Sequence, residues 1–428
     1  MRVLHLSTWK ARCGPADGAA SLVKALADLS VESEVFPLEV NALRYSTSDE
    51  FRAEMDRFTE KTAGFELVLV QHEFGLFCGS GGLRESILHF GHLLSALKAA
   101  GRSVAVVFHT SPSFPGLTAD AAHSADAASN LFSALQSYGR RWRSRRLAAW
   151  LSSLWRSRVT PHFSGKPGGF RGLALARHVR LGLVGSGCAP DAVTLWPRGI
   201  VDRDRAALSL DPAKAKAALG IASDSVLLTI FGFIGGYKGH LVAVQALKNL
   251  PPRYHLAVLG GTNINYPSDR TLDAMLAAWE GEDPRRLIVT GYAQRETIDR
   301  YHAATDICVA PFRPNFHSGS GSICWSLSSG KPTIASNIPA FAEIQEEADC
   351  LLLCTPEAPR ELAWQIENLA GNLALQRRLA QNALEFVARH CWSRAATKLL
   401  DIHAEMTGGN RPTIPFPGAP REALPKAA

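Results

Sequence analysis

The sequence predicts an α/β protein made of two doubly wound parallel-sheet domains that face one another across a cleft. Three observations predict it. At 428 residues the chain exceeds what a single hydrophobic core ordinarily fills. Short, continuously apolar runs alternate with segments of helical period along nearly the whole length, as in strands buried on both faces beneath helices. A charged, proline-containing passage, LWPRGIVDRDRAALSLDPAKAKAALG, divides these runs into two series and reads as a link.

The first series is RVLHLS, FELVLVQHE and SVAVVFHT; the second is SVLLTIFGF, YHLAVLGG, RLIVTGY, DICVAPF, KPTIAS and CLLLC. The opening MRVLHLSTWKARCG reads as a first buried strand through Val3, Leu4 and Leu6 rather than as a leader. From Glu357 to Met406 the pattern is helical, and GGNRPTIPFPGAPREALPKAA is a Pro-, Gly- and Ala-rich tail expected to hold no fixed fold. Two Rossmann-like domains are therefore expected at 1–205 and 206–406, with the tail at 407–428.

A hydrophobic fraction of 46% and a charged fraction of 20% belong to an ordinary globular protein, and no run is long enough to cross a bilayer. The net charge of +7 comes wholly from the first half, where residues 1–205 hold 25 Lys/Arg against 18 Asp/Glu. The 8 cysteines show no metal-type spacing, which points to reduced thiols and a cytoplasmic protein. RRWRSRRLAAWLSSLWRSRV concentrates arginine from Arg140 to Arg158, with Leu147, Trp150, Leu151 and Leu154 at helical spacing. It reads either as an interfacial helix on an anionic membrane, at the inner face of the cytoplasmic membrane, or as a helix docked on its own domain. No recognition module accompanies it, so nucleic acid is not an expected partner.

In doubly wound sheets ligands gather beyond the carboxyl ends of the strands. Gly14, Asp17 and Gly18 follow the first strand and lead into a helix beginning near Ala19, whose free amides favour an anion. His72 with Glu73, and His109 with Thr110, end the next two apolar runs. In FGFIGGYKGH, Gly235, Gly236 and Gly239 form a permissive turn, and Lys238 stands where an ammonium could neutralise a diphosphate. Ser320, Gly321 and Ser322 precede another helix and would offer amides and hydroxyls to phosphate.

STW…CGPADG, VQHEFGLF, FGFIGGYKGH, GYAQRETIDRYHAATDICVAPF and SGSGSICWSLSSGKPTIASNIPAFAEI, in this order, resemble the signatures of the group-1 glycosyltransferases, the retaining class with the GT-B fold. The resemblance runs from about Met1 to Cys391 and is weakest between about Ala119 and Thr194. It implies a nucleoside diphosphate sugar as donor substrate, no cofactor, and a glycan or lipid-linked glycan as acceptor. Gly14 would lie by the donor phosphate and acceptor; Lys238 and Ser320–Ser322 would hold the diphosphate. His109, His317 and Glu343 would touch the donor sugar, with His109 and Lys238 as the catalytic pair. Gly291 and Tyr292 would hold the nucleobase, and Asp17, His72 and Glu73 would lie on the acceptor side. No Asp-x-Asp metal site is evident in these signature motifs, so metal-independent transfer is expected, with Lys238 in the cation's place.

Three positions depart from the family pattern. Phe233 stands where an arginine often precedes the phosphate lysine, and His317 and Trp325 stand in place of a glutamate pair. Indole only donates hydrogen bonds, so Trp325 cannot accept one from a ribose hydroxyl. These departures leave open a non-catalytic GT-B protein that binds glycan or scaffolds a synthesis complex. An epimerase or phosphorylase on the same fold is a further alternative, though no motif for either is present.

Overall fold

The computed structural model describes residues 1–409 except 12, 40–42, 113–145, 166–168, 202, 204–207, 209–210, 263–268 and 315–319. The expected tail therefore lies outside the described residues from 410 onward. In the first domain the strands are β1 Arg2–Ser7, β2 Glu32–Pro37, β3 Leu67–His72, β4 Val104–Phe108, β5 Arg171–Ala174 and β6 Val193–Leu195. In the second they are β7 Val226–Phe231, β8 Tyr254–Leu259, β9 Leu287–Val289, β10 Ile307–Ala310, β11 Thr333–Ser336 and β12 Leu351–Cys354. Each set forms one parallel sheet, in the orders β2-β1-β3-β4-β5-β6 and β12-β11-β10-β7-β8-β9.

Every run read as a strand is one, because each is apolar on both faces: Val68, Leu69 and Val70 of β3 are fully buried, as are Val104 to Val106 of β4. Burying each such side chain contributes about 1.5–3 kcal/mol. The strands absent from the sequence reading are β2, β5 and β6. β2 is a polar edge strand, ESEVFP, with no fully buried position, while β5 and β6 are only 4 and 3 residues long. Such segments become strands by pairing, not by pattern.

The chain direction across the first sheet reverses between β1 and β3, and across the second between β7 and β10. The carboxyl ends of these strand pairs carry the Gly14 and His72 segments on one side and the Lys238 and Ser320 segments on the other. The topology thus sets both crevices on one cleft.

One boundary expectation is corrected. The helix Trp392–Thr407 does not pack on the second sheet. Its Ala395, Ala396, Leu399, Leu400 and Ile402 join Val3, Leu22, Leu67 and Trp196 in the core of the first domain. Trp196 Nε1 donates to the Ala395 carbonyl at 3.0 Å. A small-residue stripe, Ala395 and Ala396, lets this helix lie against the helix Gly14–Asp28. The polypeptide therefore crosses between domains twice, near Arg198 and again near Cys391, where Ile200 and Cys391 form a parallel bridge.

Among the described residues, no helix is long and apolar enough to cross a membrane. Residues 146–158 are helical. Leu151 and Trp155 face the core of the first domain, whereas Leu147 and Trp150 are 44% and 47% exposed. The helix is docked by one stripe and presents the other; Arg140 to Arg145 lie outside the described residues.

Candidate functional site

A cleft of about 1640 Å³ separates the two sheets and is lined from both domains. It is larger than a pocket for one small ligand, and has room for a donor and an acceptor together.

On the second-domain wall, β7 is followed by Gly232 at φ 109°, a conformation that favours glycine. A methyl group there would collide with Lys238 Nζ and stand 3.3 Å from Ser322 Oγ. The ammonium and the hydroxyl therefore flank one glycine, which brings together the two motifs read separately from the sequence. Lys238 closes a short 3-10 turn, Gly236–Lys238, tied down by Asp269 Oδ2, which accepts from the Gly236 amide at 3.3 Å. Its side chain is 5% exposed, and among the described residues its Nζ has no hydrogen-bond or ion-pair partner. Burial pulls its pKa down from 10.5 to about 7. A buried, partnerless amine is costly unless an anion joins it.

The helix Gly321–Ser328 begins beside it. Ser320 Oγ accepts from the Ser322 amide at 3.2 Å and lies 2.7 Å from Ser322 Oγ. The cap thus uses one of the amides expected to face phosphate, leaving the hydroxyls and the Gly321 end of the helix. His317 lies outside the described residues.

On the first-domain wall stand Gly14, Asp17, Glu73 and His109. His109 Nε2 is held by Gln71 Oε1 at 2.7 Å, an acceptor that directs the ring. Burial raises the pKa of Glu73, and that of Asp17 despite the opposing charge of Arg198. Tyr292 lines the cleft opposite, its ring centroid 6.4 Å from that of Phe233; Gly291 is not part of the lining.

Residues 226–372 match the family described as glycosyl transferases group 1. The second domain is a group-1 glycosyltransferase domain. A D-inositol 3-phosphate glycosyltransferase of Xylanimonas cellulosilytica is 29% identical over 190 residues, 44% of this chain and 44% of that protein. Another, from Stackebrandtia nassauensis, is 25% identical over 224 residues, 50% and 49% of the two chains. The chain thus matches about half the length of these curated relatives. The solved structure of Anabaena Alr3699/HepE in complex with UDP-glucose superposes with a TM-score of 0.66 at 13% identity, covering 95% of this chain and all of that one. Sucrose-phosphate synthase from Thermosynechococcus elongatus gives 0.67 at 16% identity, covering 95% and 99%. The likeness in architecture extends over both domains, and the fold is GT-B.

In this chain two further expected site residues are placed elsewhere. His72 is fully buried among Phe74, Phe77, Phe90, Phe108 and Trp155, with both ring nitrogens unpartnered among the described residues and its pKa driven down to about 3, chiefly by burial. It alternates with Glu73: consecutive strand residues point to opposite faces, so only one of the pair reaches the cleft. Glu343 does not line the cleft either. Its Oε2 accepts from the Arg177 amide and its Oε1 from the His178 amide, each at 2.8 Å, at the start of the helix Arg177–Gly185. A carboxylate of the second domain therefore caps a first-domain helix.

Trp325 packs 5.0 Å from Phe231, ring to ring, with the Arg203 guanidinium 4.9 Å over its indole. Arg203 is buried, donates to His302 Nδ1 at 2.7 Å and to the Trp325 carbonyl at 3.3 Å, and pairs with Asp299. Arg198, which lines the cleft, and Arg203, buried against Trp325, escaped the sequence reading because a charged passage between domains reads as a solvated linker. Their signal was position only: a link must cross the mouth of the cleft it spans.

Proposed function

We propose that this chain transfers a hexose, with retention, from a nucleoside diphosphate sugar to a glycan or lipid-linked glycan acceptor, without a metal ion. The observation that supports this most directly is the buried Lys238 ammonium, without a partner among the described residues, beside Ser322 at the start of a helix. Leaving-group departure develops negative charge on a diphosphate, and an ammonium in a water-poor cleft stabilises it more than the ground state. Lys238 and the Ser320–Ser322 helix start are assigned to that charge, and Phe233 with Tyr292 to the nucleobase, by stacking. His109, directed by Gln71, is assigned to the donor sugar. Asp17 and Glu73 are assigned to the acceptor, whose hydroxyl proton passes to the departing phosphate on the same face.

UDP-glucose is the ligand of one structural neighbour, and the curated relatives are named for D-inositol 3-phosphate. A phosphorylated polyol is accordingly a first acceptor to try. The exposed Leu147 and Trp150, with Arg146 and Arg156 on the same helix, suit contact with an anionic membrane face from the cytoplasm.

The test is a thermal-shift and turnover screen with UDP-, GDP-, ADP- and dTDP-sugars. Stabilisation by one nucleotide class, abolished in Lys238→Ala, supports the reading; a shift unchanged in that variant, or none with any nucleotide, defeats it. Turnover that collapses with EDTA and returns with Mg²⁺ would defeat the metal-free part alone. A non-catalytic, glycan-binding role is favoured by one observation, the Trp325–Arg203 packing where a ribose acceptor would be wanted. Nucleotide binding without any turnover across the acceptor panel would select it.

A further inference from the structure

Arg198 leaves the link between the domains and enters the cleft. Its Nη2 donates to the Gly14 carbonyl at 3.0 Å. A methyl on Gly18 would stand 3.4 Å from the same nitrogen, and one on Gly321 3.8 Å from it. The guanidinium thus lies between the starts of two helices, Gly14–Asp28 of the first domain and Gly321–Ser328 of the second. Each helix start carries partial positive charge. Ser322, next to Gly321, faces Lys238 across Gly232. Two cations and two helix starts therefore converge, and of the carboxyls that line the cleft Asp17 interacts with Arg198 but is pushed toward its neutral form by burial, while Asp269 is engaged by the Gly236 amide. Among the described residues Arg198 has no ion-pair partner. Such an arrangement is repulsive when empty and is balanced by a ligand bearing more than one negative charge.

We propose that Arg198 is the second cation on the donor diphosphate: it holds the phosphate that faces Gly14, while Lys238 and Ser322 hold the other. This deepens the nucleotide-sugar reading above and rests on it. It also answers the charge missing at Phe233, where the resemblance implies an arginine. The replacement comes from the link instead of from the second domain. Because Arg198 touches helix starts of both domains, the same contact draws them together when the diphosphate binds. A guanidinium suits this post better than an ammonium, since its fork donates to the Gly14 carbonyl and to a phosphate oxygen at once.

The experiment is isothermal titration of wild type, Arg198→Gln and Arg198→Lys with UDP, GDP, ADP and dTDP, and then with the monophosphate of whichever binds. Arg198→Gln should weaken the diphosphate about tenfold to a hundredfold and the monophosphate by less than about threefold, the scale of one charge-assisted contact. Arg198→Lys should recover part of the diphosphate affinity. A purely structural arginine would lower the melting temperature and weaken both nucleotides equally, and that result overturns the proposal. Unchanged diphosphate affinity in Arg198→Gln overturns it as well while leaving the donor class intact. Failure of wild type to bind any of the four removes the nucleotide-sugar reading and this inference together.

Discussion

Glu343 of the second domain accepts two amides of the first, those of Arg177 and His178, each at 2.8 Å. This is a helix cap built across a domain boundary. Burial alone would raise the carboxyl's pKa; hydrogen bonds from His178 and the two amides outweigh it and hold it below the usual range.

Removing that cap should loosen the domain pair. Glu343→Ala is expected to cost about 0.5–2 kcal/mol, measured by urea unfolding, with Glu343→Gln intermediate. The folded pKa is depressed, so the contribution is present above about pH 4.5 and fades as pH falls through the folded value. Donor-sugar discrimination should not change. If Glu343→Ala altered the choice among sugars on one nucleotide and left stability alone, the capping role would be wrong.

Lys238 sets a pH signature for donor binding. Its pKa near 7 without a bound anion means that binding of a diphosphate, which favours the charged amine, takes up a proton at about pH 7.5–8.5. Affinity should therefore fall as pH rises above 7, and calorimetry in buffers of differing ionisation enthalpy should show the uptake. Lys238→Met should lose about 10²–10³ in kcat. It should also unfold at higher temperature near pH 7, because an amine whose pKa is lowered on folding destabilises the native state below its unfolded pKa.

Trp325 should be a packing residue first. Trp325→Ala strips the Arg203 guanidinium of its aromatic floor and is expected to cost about 2–4 kcal/mol, read by chemical denaturation. With no acceptor at this position, affinities for a nucleotide and its 2′-deoxy form should agree within about threefold. A large preference for the ribose form would mean that another residue grips the diol.

His72 should be dispensable for turnover. His72→Phe keeps the ring in its aromatic cage and removes two unpartnered nitrogens, so stability should rise by about 1 kcal/mol with acceptor KM unchanged. His72 is neutral in the fold down to about pH 3, while the unfolded chain protonates it near 6.5. Its share of acid destabilisation, accruing as pH falls from 6.5 toward 3, should vanish in the variant. A raised acceptor KM would return His72 to the site.

How far the chain could be read in advance differs between fold and site. Strands with Val, Leu and Ile on both faces, such as β3 and β4, announce themselves because parallel strands are buried twice over. The edge strand β2 and the short β5 and β6 do not, since their structure is borrowed from neighbours. Lys238 and Ser320–Ser322 were legible as glycine- and serine-rich turns after strands; Arg198 and Arg203, in a charged link, were not.

By itself the sequence determined two parallel sheets and the strand ends that carry the candidate site. Those properties are local: they follow from periodicity, turn residues and side-chain chemistry. Only the tertiary structure decided that His72 turns away from the cleft while Glu73 enters it, that Glu343 caps a helix of the other domain, that Trp392–Thr407 returns to the first core, and that Arg198 meets two helix starts. Each of these depends on which distant segments share a surface, and that is fixed by packing between elements far apart in the chain, which no local pattern encodes.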